Sequence, residues 1–247
     1  MLQPGEKLAG NLNTSLLKVM ALVFMCFDHF GKMLFPNVPE MRMVGRLAFP
    51  IYAWCLVVGA CYTRSVWKYA LRLLAVGLIS QPLYMVALNH RWSEPNIFLT
   101  LFFGLLAIGA IRMRKWYSQI WGPVLALAMA QLFKCDYGWA GVLLMLLLYL
   151  ARKDRGGLCA VMIAFCLFWG SSSSTVIRLF GCSLPIYQWS GIGPILQTFL
   201  KLQSLAVLAL PLIVIPMPYC LKMNHWVAYG LYPAHLLILW LCQMIPL

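Results

Sequence analysis

Long apolar runs separated by short polar connections follow one another along the whole chain. A helix that crosses a membrane needs about 20 mostly apolar residues. The runs are continuous rather than alternating, which favours helices over strands. We therefore predict an all-α fold, a polytopic transmembrane helical bundle of about nine spans, within a range of about eight to ten. The predicted spans are 16–36, 44–63, 69–88, 96–112, 117–133, 139–151, 158–170, 196–216 and 226–246.

The longest predicted connection covers residues 171–195 and reads SSSSTVIRLFGCSLPIYQWSGIGPI. It is too polar, and too often interrupted by glycine and proline, to cross a membrane. Irregular backbone at membrane depth is tolerated only where protein surrounds it or where it lines a water-filled cavity. We expect this segment to fold over the bundle or to dip into it.

The composition agrees with a membrane location, since only 10% of the 247 residues are charged and 63% are hydrophobic. Soluble domains have about 25% charged residues, so this chain could not cover a water-facing surface. Each span with its connection takes about 25 residues, and we expect one integral-membrane domain over residues 1–247. The net charge of +13 includes no long basic run and the cysteines lack metal-ligand spacing. We expect neither a nucleic-acid partner nor a metal site.

Lysine and arginine are concentrated in alternate connections between the predicted spans. The rich connections carry Arg64, Lys68 and Arg72, then Arg112, Arg114 and Lys115, then Arg152, Lys153 and Arg155, and finally Lys222. Connections rich in Lys and Arg stay on the cytoplasmic side of a membrane. This pattern predicts a cytoplasmic N-terminus and, with nine spans, a C-terminus on the outside.

Two ionisable residues stand side by side in the first apolar run, which reads FMCFDHFGKMLFP. A charged side chain near the middle of a membrane helix costs about 2.5 to 3.5 kcal/mol on insertion scales, so Asp28 and His29 are candidates for function. We predict that His29 is a general base, since neutral imidazole accepts a proton near pH 7. The alternative is that Asp28 forms an i,i+4 ion pair with Lys32 and His29 bonds a carbonyl. Adjacent helical residues point about 100° apart, so the acid that orients His29 could instead be Asp136.

Arg46 and Asp136 are further catalytic candidates. In the stretch GRLAFP, Arg46 lies just inside a helix that Pro50 is expected to bend. Arg46 either snorkels to the membrane interface or pairs with Asp28 or an anionic group. In CDYGWAG, Asp136 stands at a predicted helix start, where a carboxylate suits the helix dipole. An N-cap role and a catalytic role are both open for Asp136.

The last span carries Tyr232 and His235 at i,i+3, so both side chains lie on one helix face. We predict that His235 contributes to catalysis and that Tyr232 binds substrate, although a structural core histidine is the alternative. His29, Arg46 and His235 come from three spans and fall in the middle or outer half of the membrane. This convergence is the main functional signal. The predicted catalytic residues are thus His29, Asp28, Arg46, Asp136 and His235.

Arg64, Lys68 and Arg72 are spaced i, i+4, i+8 at the cytoplasmic mouth of the third span. On one helix they would form a basic stripe. Topology alone could explain it. Alternatively, the stripe binds the phosphates of a cytosolic cofactor.

Several short blocks of this chain occur in a recognisable order. They are DHFGK, GRLAFPIYAWCLVVG, RLLAVGLISQPLY, NIFLTLFFGLL, DYGWAGVLL and YPAHLLIL. In their order and number they resemble the TraX family of bacterial inner-membrane proteins over about residues 16–246. Founding members of that family are encoded with conjugative plasmid transfer genes and N-acetylate the processed pilin subunit. The family is also distantly similar to membrane acyltransferases in which an embedded histidine moves an acetyl group from cytosolic acetyl-CoA to an acceptor on the far side.

The resemblance implies a transmembrane N-acetyltransferase of the bacterial inner membrane. Acetyl-CoA would be the acetyl donor, held by the basic stripe, and a pilin or fimbrial subunit would be the acceptor. Two other functions stay open. One is O-acetylation of a surface glycan or lipid hydroxyl. The other is a non-enzymatic transporter or assembly protein in which His29 and His235 relay protons.

Overall fold

The regular structure of this protein is almost entirely helical, as the computed structural model describes it for residues 7–176, 178–179, 182–183, 191–217 and 223–244. The α-helices are α1 (Thr14–Met33), α2 (Pro39–Gly45), α3 (Ala48–Tyr62), α4 (Val66–Leu88), α5 (Ile97–Arg112), α6 (Trp116–Leu132), α7 (Gly138–Ala151), α8 (Arg155–Gly170), α9 (Gly193–Phe199), α10 (Leu210–Val214) and α11 (His225–Gln243). A 3-10 helix over Ser204–Ala209 precedes α10. The strands are two residues each: β1 (Arg178–Leu179) pairs antiparallel with β2 (Cys182–Ser183). The predicted all-α fold is confirmed.

Three helical segments in the described part of the chain are long and apolar enough to cross a membrane. They are Thr14–Met33, Pro39–Tyr62 and Val66–Leu88. Shorter apolar helices cover Ile97–Arg112, Gly138–Ala151, Arg155–Gly170 and Ser204–Val214. The prediction of nine full spans is not confirmed. In particular, the predicted span 196–216 is divided among α9, the 3-10 helix and α10. Pro211 accounts for the start of α10, since proline has no amide hydrogen and suits a first helical turn.

Side-chain caps mark the starts of five helices, all close to the predicted positions. The side chains of Asn13, Ser65, Asn96, Asp154 and Asn224 each accept a hydrogen bond from a backbone amide in the first turn of the following helix. Such a cap satisfies one of the amides that a helix leaves without an internal partner, and contributes about 1 kcal/mol. The start of a helix is therefore encoded locally, within a few residues.

The predicted second span is two helices rather than one bent helix. Helix α2 ends at Gly45 and α3 begins at Ala48, so the chain breaks at Arg46 and Leu47. Pro50 falls in the first turn of α3, where its missing amide hydrogen leaves no bond unmade. The expectation that Pro50 bends a helix containing Arg46 is wrong. Arg46 instead lies at the junction between two helices.

Helix α3 lies at the centre of the bundle and packs against α1, α5 and α7. Its residues are apolar or small on every side, and almost all of them are buried, including Phe49, Ile51 and Trp54. A helix that is hydrophobic all round belongs in the interior. The indole of Trp54 donates to the carbonyl of Asn11 over 2.8 Å, which ties the segment before α1 to the central helix.

Backbone contacts gather alternate connections at one end of the bundle. The amide of Ala9 donates to the Arg152 carbonyl over 2.9 Å, and the amide of Asn11 donates to the Ile213 carbonyl. The Arg112 guanidinium donates to the carbonyls of Ala60 and Thr63. This is the end that carries most of the basic connections. The other end holds the outgoing ends of α1 and α4, and it contains the polar cavity described next.

Candidate active site

A polar cavity of about 340 Å³ lies at the end of the bundle away from the basic connections. Its wall includes Asp28, His29, Arg46 and Asp136, which are four of the five predicted catalytic residues. These residues come from α1, from the junction after α2, and from the connection between α6 and α7. Ionisable groups that converge on one cavity mark a candidate functional site.

Asp28 is the centre of a three-residue ion cluster. Its Oδ1 accepts from Arg46 Nη2 and, over 3.0 Å, from Arg42 Nε. Arg46 also donates to Gln203 Oε1 over 3.3 Å, which connects the cluster to the chain beyond α9. The Asp28 side chain is 15% exposed and that of Arg46 13%, whereas that of Arg42 is 35% exposed. The predicted pairing of Arg46 with Asp28 is present in the structure, and the alternative pairing of Asp28 with Lys32 is wrong.

A glycine allows this cluster to form. A Cβ at Gly45 would lie 2.8 Å from the Asp28 Cα, a distance that real side chains do not adopt. The end of α2 can therefore approach α1 only because residue 45 has no side chain. This approach brings Arg42 and Arg46, on either side of Gly45, to one carboxylate.

His29 and His235 are direct partners although they are far apart in the chain. The distance from His29 Nδ1 to His235 Nε2 is 3.0 Å, and the two rings stack at 18° with centroids 5.2 Å apart. His235 is buried. The structure thus brings the fifth predicted residue to the cavity by contact with His29. The sequence suggested that Asp136 could orient His29. In the structure, His235 is the side chain that contacts the His29 ring nitrogen.

Asp136 lies in a turn between α6 and α7 and does not cap a helix. Helix α7 begins at Gly138 with Tyr137 at the N-cap position, and Tyr137 makes no side-chain cap bond, so the N-cap interpretation is wrong. The Asp136 side chain is accessible from the cavity, yet protein surrounds it. This loss of bulk solvation raises the pKa of the Asp136 carboxyl to about 6, against the opposing effect of Arg46. Its carboxylate also interacts with the Tyr84 hydroxyl.

A smaller cavity of about 20 Å³ lies directly beside the larger one and shares its walls at His29 and Asp136. Tyr232, predicted to bind substrate, lines this smaller cavity. The Tyr232 ring contacts His235 with centroids 5.1 Å apart, and Phe98 with centroids 4.8 Å apart. The i,i+3 placement of Tyr232 and His235 on one face of α11 is confirmed.

A second histidine cluster at the cavity was missed by the sequence reasoning. Lys32 Nζ lies 3.1 Å from His90 Nε2, and His90 Nδ1 lies 2.9 Å from Glu94 Oε2. Both Lys32 and His90 line the 340 Å³ cavity. The sequence signal that could have found this cluster is the spacing of His90 and Glu94, which are four residues apart. Both lie in the short connection between α4 and α5.

The three basic residues of the predicted stripe lie away from this cavity and do not share one helix. Helix α4 begins at Val66, so Arg64 stands in the preceding connection while Lys68 and Arg72 lie on the helix. The expectation of one continuous stripe is therefore wrong. The Arg72 guanidinium lies over the Tyr69 ring, 5.7 Å from its centroid.

The fold and the cavity define a class of protein: an apolar helical bundle of the membrane-protein type with a contacting histidine pair and an arginine–aspartate cluster at one end of its interior. The family described as TraX protein matches residues 13–243, nearly the whole chain. The chain belongs to the TraX family. The resemblance seen in the short sequence blocks is thereby confirmed.

Two curated proteins are similar to this chain. One is the probable fimbrial assembly protein FimC, serogroup H1, of Dichelobacter nodosus, which is 32% identical over 156 residues, covering 56% of this chain and 64% of the relative. The other is an uncharacterised protein of Rickettsia prowazekii (strain Madrid E), 26% identical over 148 residues, covering 58% of this chain and 57% of the relative. The matches thus span less than two thirds of either relative. No solved structure matches the chain.

Proposed function

We propose that this protein is an acetyl-CoA-dependent membrane N-acetyltransferase that acetylates the N-terminal amine of a processed pilin or fimbrial subunit. It would act as one domain with about nine spans in the bacterial inner membrane, with a cytoplasmic N-terminus. Membership of the TraX family and the similarity to a fimbrial assembly protein support a pilin-related role. The basic connections gathered at one end of the bundle support the orientation.

The observation that carries the proposal is the His29–His235 pair at the wall of a polar cavity. Acetyl transfer to an amine requires a base that removes a proton from the attacking nitrogen, and a positioned imidazole suits this task near pH 7. Histidine inside an apolar bundle is expensive to keep unless it is used. Direct contact with a second histidine, combined with access to the cavity, supports a catalytic role over a purely structural one.

The contacts of His235 indicate which nitrogen of His29 is free to act. His235 Nδ1 is buried and makes no hydrogen bond in the part of the chain that the structure describes. If the ring hydrogen of His235 is on Nδ1, His235 Nε2 is the acceptor in the contact with His29. His29 then donates from Nδ1 and keeps its lone pair on Nε2. His235 is thus proposed to hold the tautomer in which His29 Nε2 accepts a proton.

The ion cluster next to His29 supplies charge to the same cavity. Two guanidinium groups share one carboxylate, so the Asp28 cluster keeps one net positive charge. A fixed positive charge can stabilise negative charge that develops on a neighbouring oxygen during acyl transfer. We therefore assign Asp28 to positioning and Arg46 to electrostatic stabilisation.

Bound acetyl-CoA would supply the acetyl group already activated as a thioester. A third cavity, of about 80 Å³, adjoins the small cavity, with which it shares the lining residues Ile97 and Tyr232. Lys18, Tyr69 and Tyr229 also line this third cavity, and the Arg72 guanidinium lies over the Tyr69 ring. A mostly apolar cavity with cations close by suits a ligand that combines a slender arm with phosphates. Lys68 and Arg72 would hold the phosphates.

Intact-mass analysis of the co-expressed subunit tests the proposal. With the wild-type protein, the processed subunit should gain the mass of one acetyl group on its N-terminal residue. The His29→Gln variant should lose this modification, since glutamine keeps a hydrogen bond but cannot accept a proton at neutral pH. The loss of a general base reduces the rate by about 10² to 10⁴.

The control for folding is the amount of His29→Gln protein extracted from the membrane and its elution as a single species. A well-folded His29→Gln variant with more than about a tenth of wild-type activity per mole would contradict the assignment of the base. The proposed acceptor would be contradicted if active wild-type protein left the subunit unmodified and acetylated a glycan or lipid instead.

A further inference from the structure

The cluster of His90, Glu94 and Lys32 at the mouth of the 340 Å³ cavity has no part in the chemistry proposed above. We propose that it is a binding site for the ammonium group of the acceptor, in which His90 takes the first proton from the acceptor and Lys32 occupies the site until the acceptor arrives. This inference rests on the proposed function and deepens it, because it names the group that recognises an amine rather than a hydroxyl.

The contacts of His90 leave one nitrogen available as a base. Glu94 Oε2 lies 2.9 Å from His90 Nδ1, and a carboxylate can only accept, so Nδ1 carries the hydrogen. Nε2 therefore has a free lone pair. The Lys32 ammonium, which can only donate, lies 3.1 Å from that nitrogen. The arrangement is a carboxylate–imidazole pair whose basic nitrogen already holds a primary ammonium group.

The surroundings hold the His90 ring in one orientation. The ring stacks on Tyr84 at 10° with centroids 4.8 Å apart, and Tyr84 is buried. Glu94 is also fixed, since its Oε2 accepts from the Arg91 amide over 2.9 Å and its carbonyl accepts from the buried Gln81 side chain over 3.0 Å. Hydrogen bonds from the Arg91 amide and the His90 ring keep the pKa of the Glu94 carboxyl below its usual value. Glu94 thus stays negative and positions the imidazole.

The Asp136 carboxylate is the charge in this cavity that can attract an incoming cation. The Asp28 carboxylate is already paired with two arginines. Within the described ranges, no lysine or arginine nitrogen lies within 4 Å of Asp136, which interacts with the hydroxyl of the same Tyr84 on which His90 stacks. Tyr84, His90 and Asp136 all line this cavity. An acceptor ammonium that displaces Lys32 would meet the imidazole nitrogen and would remain close to a carboxylate.

The chemical reason for such a site is that an N-terminal amine is mostly protonated at neutral pH, since its pKa is about 7.7 to 8.0. An ammonium nitrogen has no lone pair and cannot attack. At this site one N–H bond of the ammonium breaks, its proton forms a bond to His90 Nε2, and the electron pair stays on the acceptor nitrogen as a neutral amine. The proton on His90 would leave to water at the cavity mouth, where His90 and Glu94 are partly exposed. His29 would take the second proton during acyl transfer.

The test is equilibrium binding without acetyl-CoA, so it does not depend on catalysis. The probes are two fluorescently labelled peptides with the N-terminal sequence of a mature pilin from the same genome. One has a free N-terminal amine, and the other has a hydroxyl in place of that amine. The wild-type protein should bind the amine peptide at least about tenfold more tightly, since a hydrogen bond to a charged group is worth about 1.5 to 3 kcal/mol.

Substitutions then separate this site from a structural contact. His90→Asn should remove the preference for the amine peptide. Lys32→Met should tighten binding of the amine peptide several-fold, because the resident ammonium is gone, and should leave the hydroxyl peptide unchanged. Lys134→Met is the matched control: it removes an exposed cation from the same end of the bundle without touching His90, and it should change neither affinity.

Equal binding of the two peptides by the wild-type protein, including no binding of either, would overturn the inference. Weaker binding of the amine peptide by Lys32→Met would also overturn it, since Lys32 would then be a ligand for the acceptor rather than its stand-in. The proposed function is decided separately by the acetyl mass on the subunit. An active enzyme without amine preference therefore refutes this inference alone.

Discussion

Replacing Asp28 by asparagine is expected to destabilise the protein more than replacing the arginine that Asp28 holds. The cluster contains one carboxylate and two guanidinium groups. In Asp28→Asn, Arg42 and Arg46 face each other with no carboxylate between them. In Arg46→Met, Asp28 keeps Arg42 as its partner, and the remaining pair is neutral. The double variant Asp28→Asn/Arg46→Met leaves only Arg42, which reaches solvent.

The magnitude follows from the exposure of each member. Removing one partner of a buried pair costs about 3 to 5 kcal/mol, because the other partner is left as an unpaired buried charge. In Asp28→Asn that unpaired charge is Arg46, whose side chain is 13% exposed. Arg42 is 35% exposed, and a pair of that kind contributes at most about 1 kcal/mol. We therefore expect a loss of about 3 to 5 kcal/mol in Asp28→Asn. The loss in Arg46→Met should be clearly smaller, and the double variant should recover part of the stability lost in Asp28→Asn.

The assay is thermal unfolding of the purified variants in one detergent, followed by tryptophan fluorescence, since Trp54 is fully buried. A loss of 1 kcal/mol lowers the Tm of a protein of this size by about 2 to 4 °C, so Asp28→Asn should unfold about 6 to 20 °C below wild type. A double variant that is less stable than Asp28→Asn alone would refute the reasoning, because charge balance could then not be the cause. An unchanged Tm in Asp28→Asn would refute it as well.

Three further outcomes are expected. His235→Gln should keep much of the activity, because the glutamine carbonyl can still accept from His29 Nδ1, whereas His235→Phe should lose it; equal activities in the two variants would remove the tautomer role. Activity should fall as pH drops through about 6, where Asp136 gains a proton and loses its charge, and this fall should be shallower in Asp136→Asn. A topology reporter fused after Arg114 should be cytoplasmic and one near Ser173 external, and finding both on the same side would contradict the orientation.

Local sequence determined the class of protein and most of its helices. Helix α5 was predicted at 96–112 and covers Ile97–Arg112, and α7 was predicted at 139–151 and covers Gly138–Ala151. Such elements are predictable because hydropathy acts within one or two helical turns, and α5 also begins at the side-chain cap of Asn96. The prediction failed at 196–216, where one long apolar run is divided into short helices, and only the start of α10 coincides with a proline, Pro211.

Sequence also supplied most of the residues at the cavity, because an ionisable side chain in an apolar run is conspicuous. Asp28, His29 and His235 were recognised in this way. His90 was not recognised, since it lies in a polar connection, where a histidine is common and does not indicate function. Only the cavity wall shows that His90 and Lys32 lie together with the other ionisable residues of the site.

Tertiary structure decided which residues are partners. An i,i+4 rule joined Asp28 to Lys32, yet close approach of α2 at Gly45 gives Asp28 two arginines and leaves Lys32 to His90. His29 meets His235 across 206 positions of sequence because α1 packs against α11. Sequence patterns predict contacts between residues one turn apart on the same helix. The choice among several possible charged partners depends on which helices touch, and that is settled only when the whole bundle has packed.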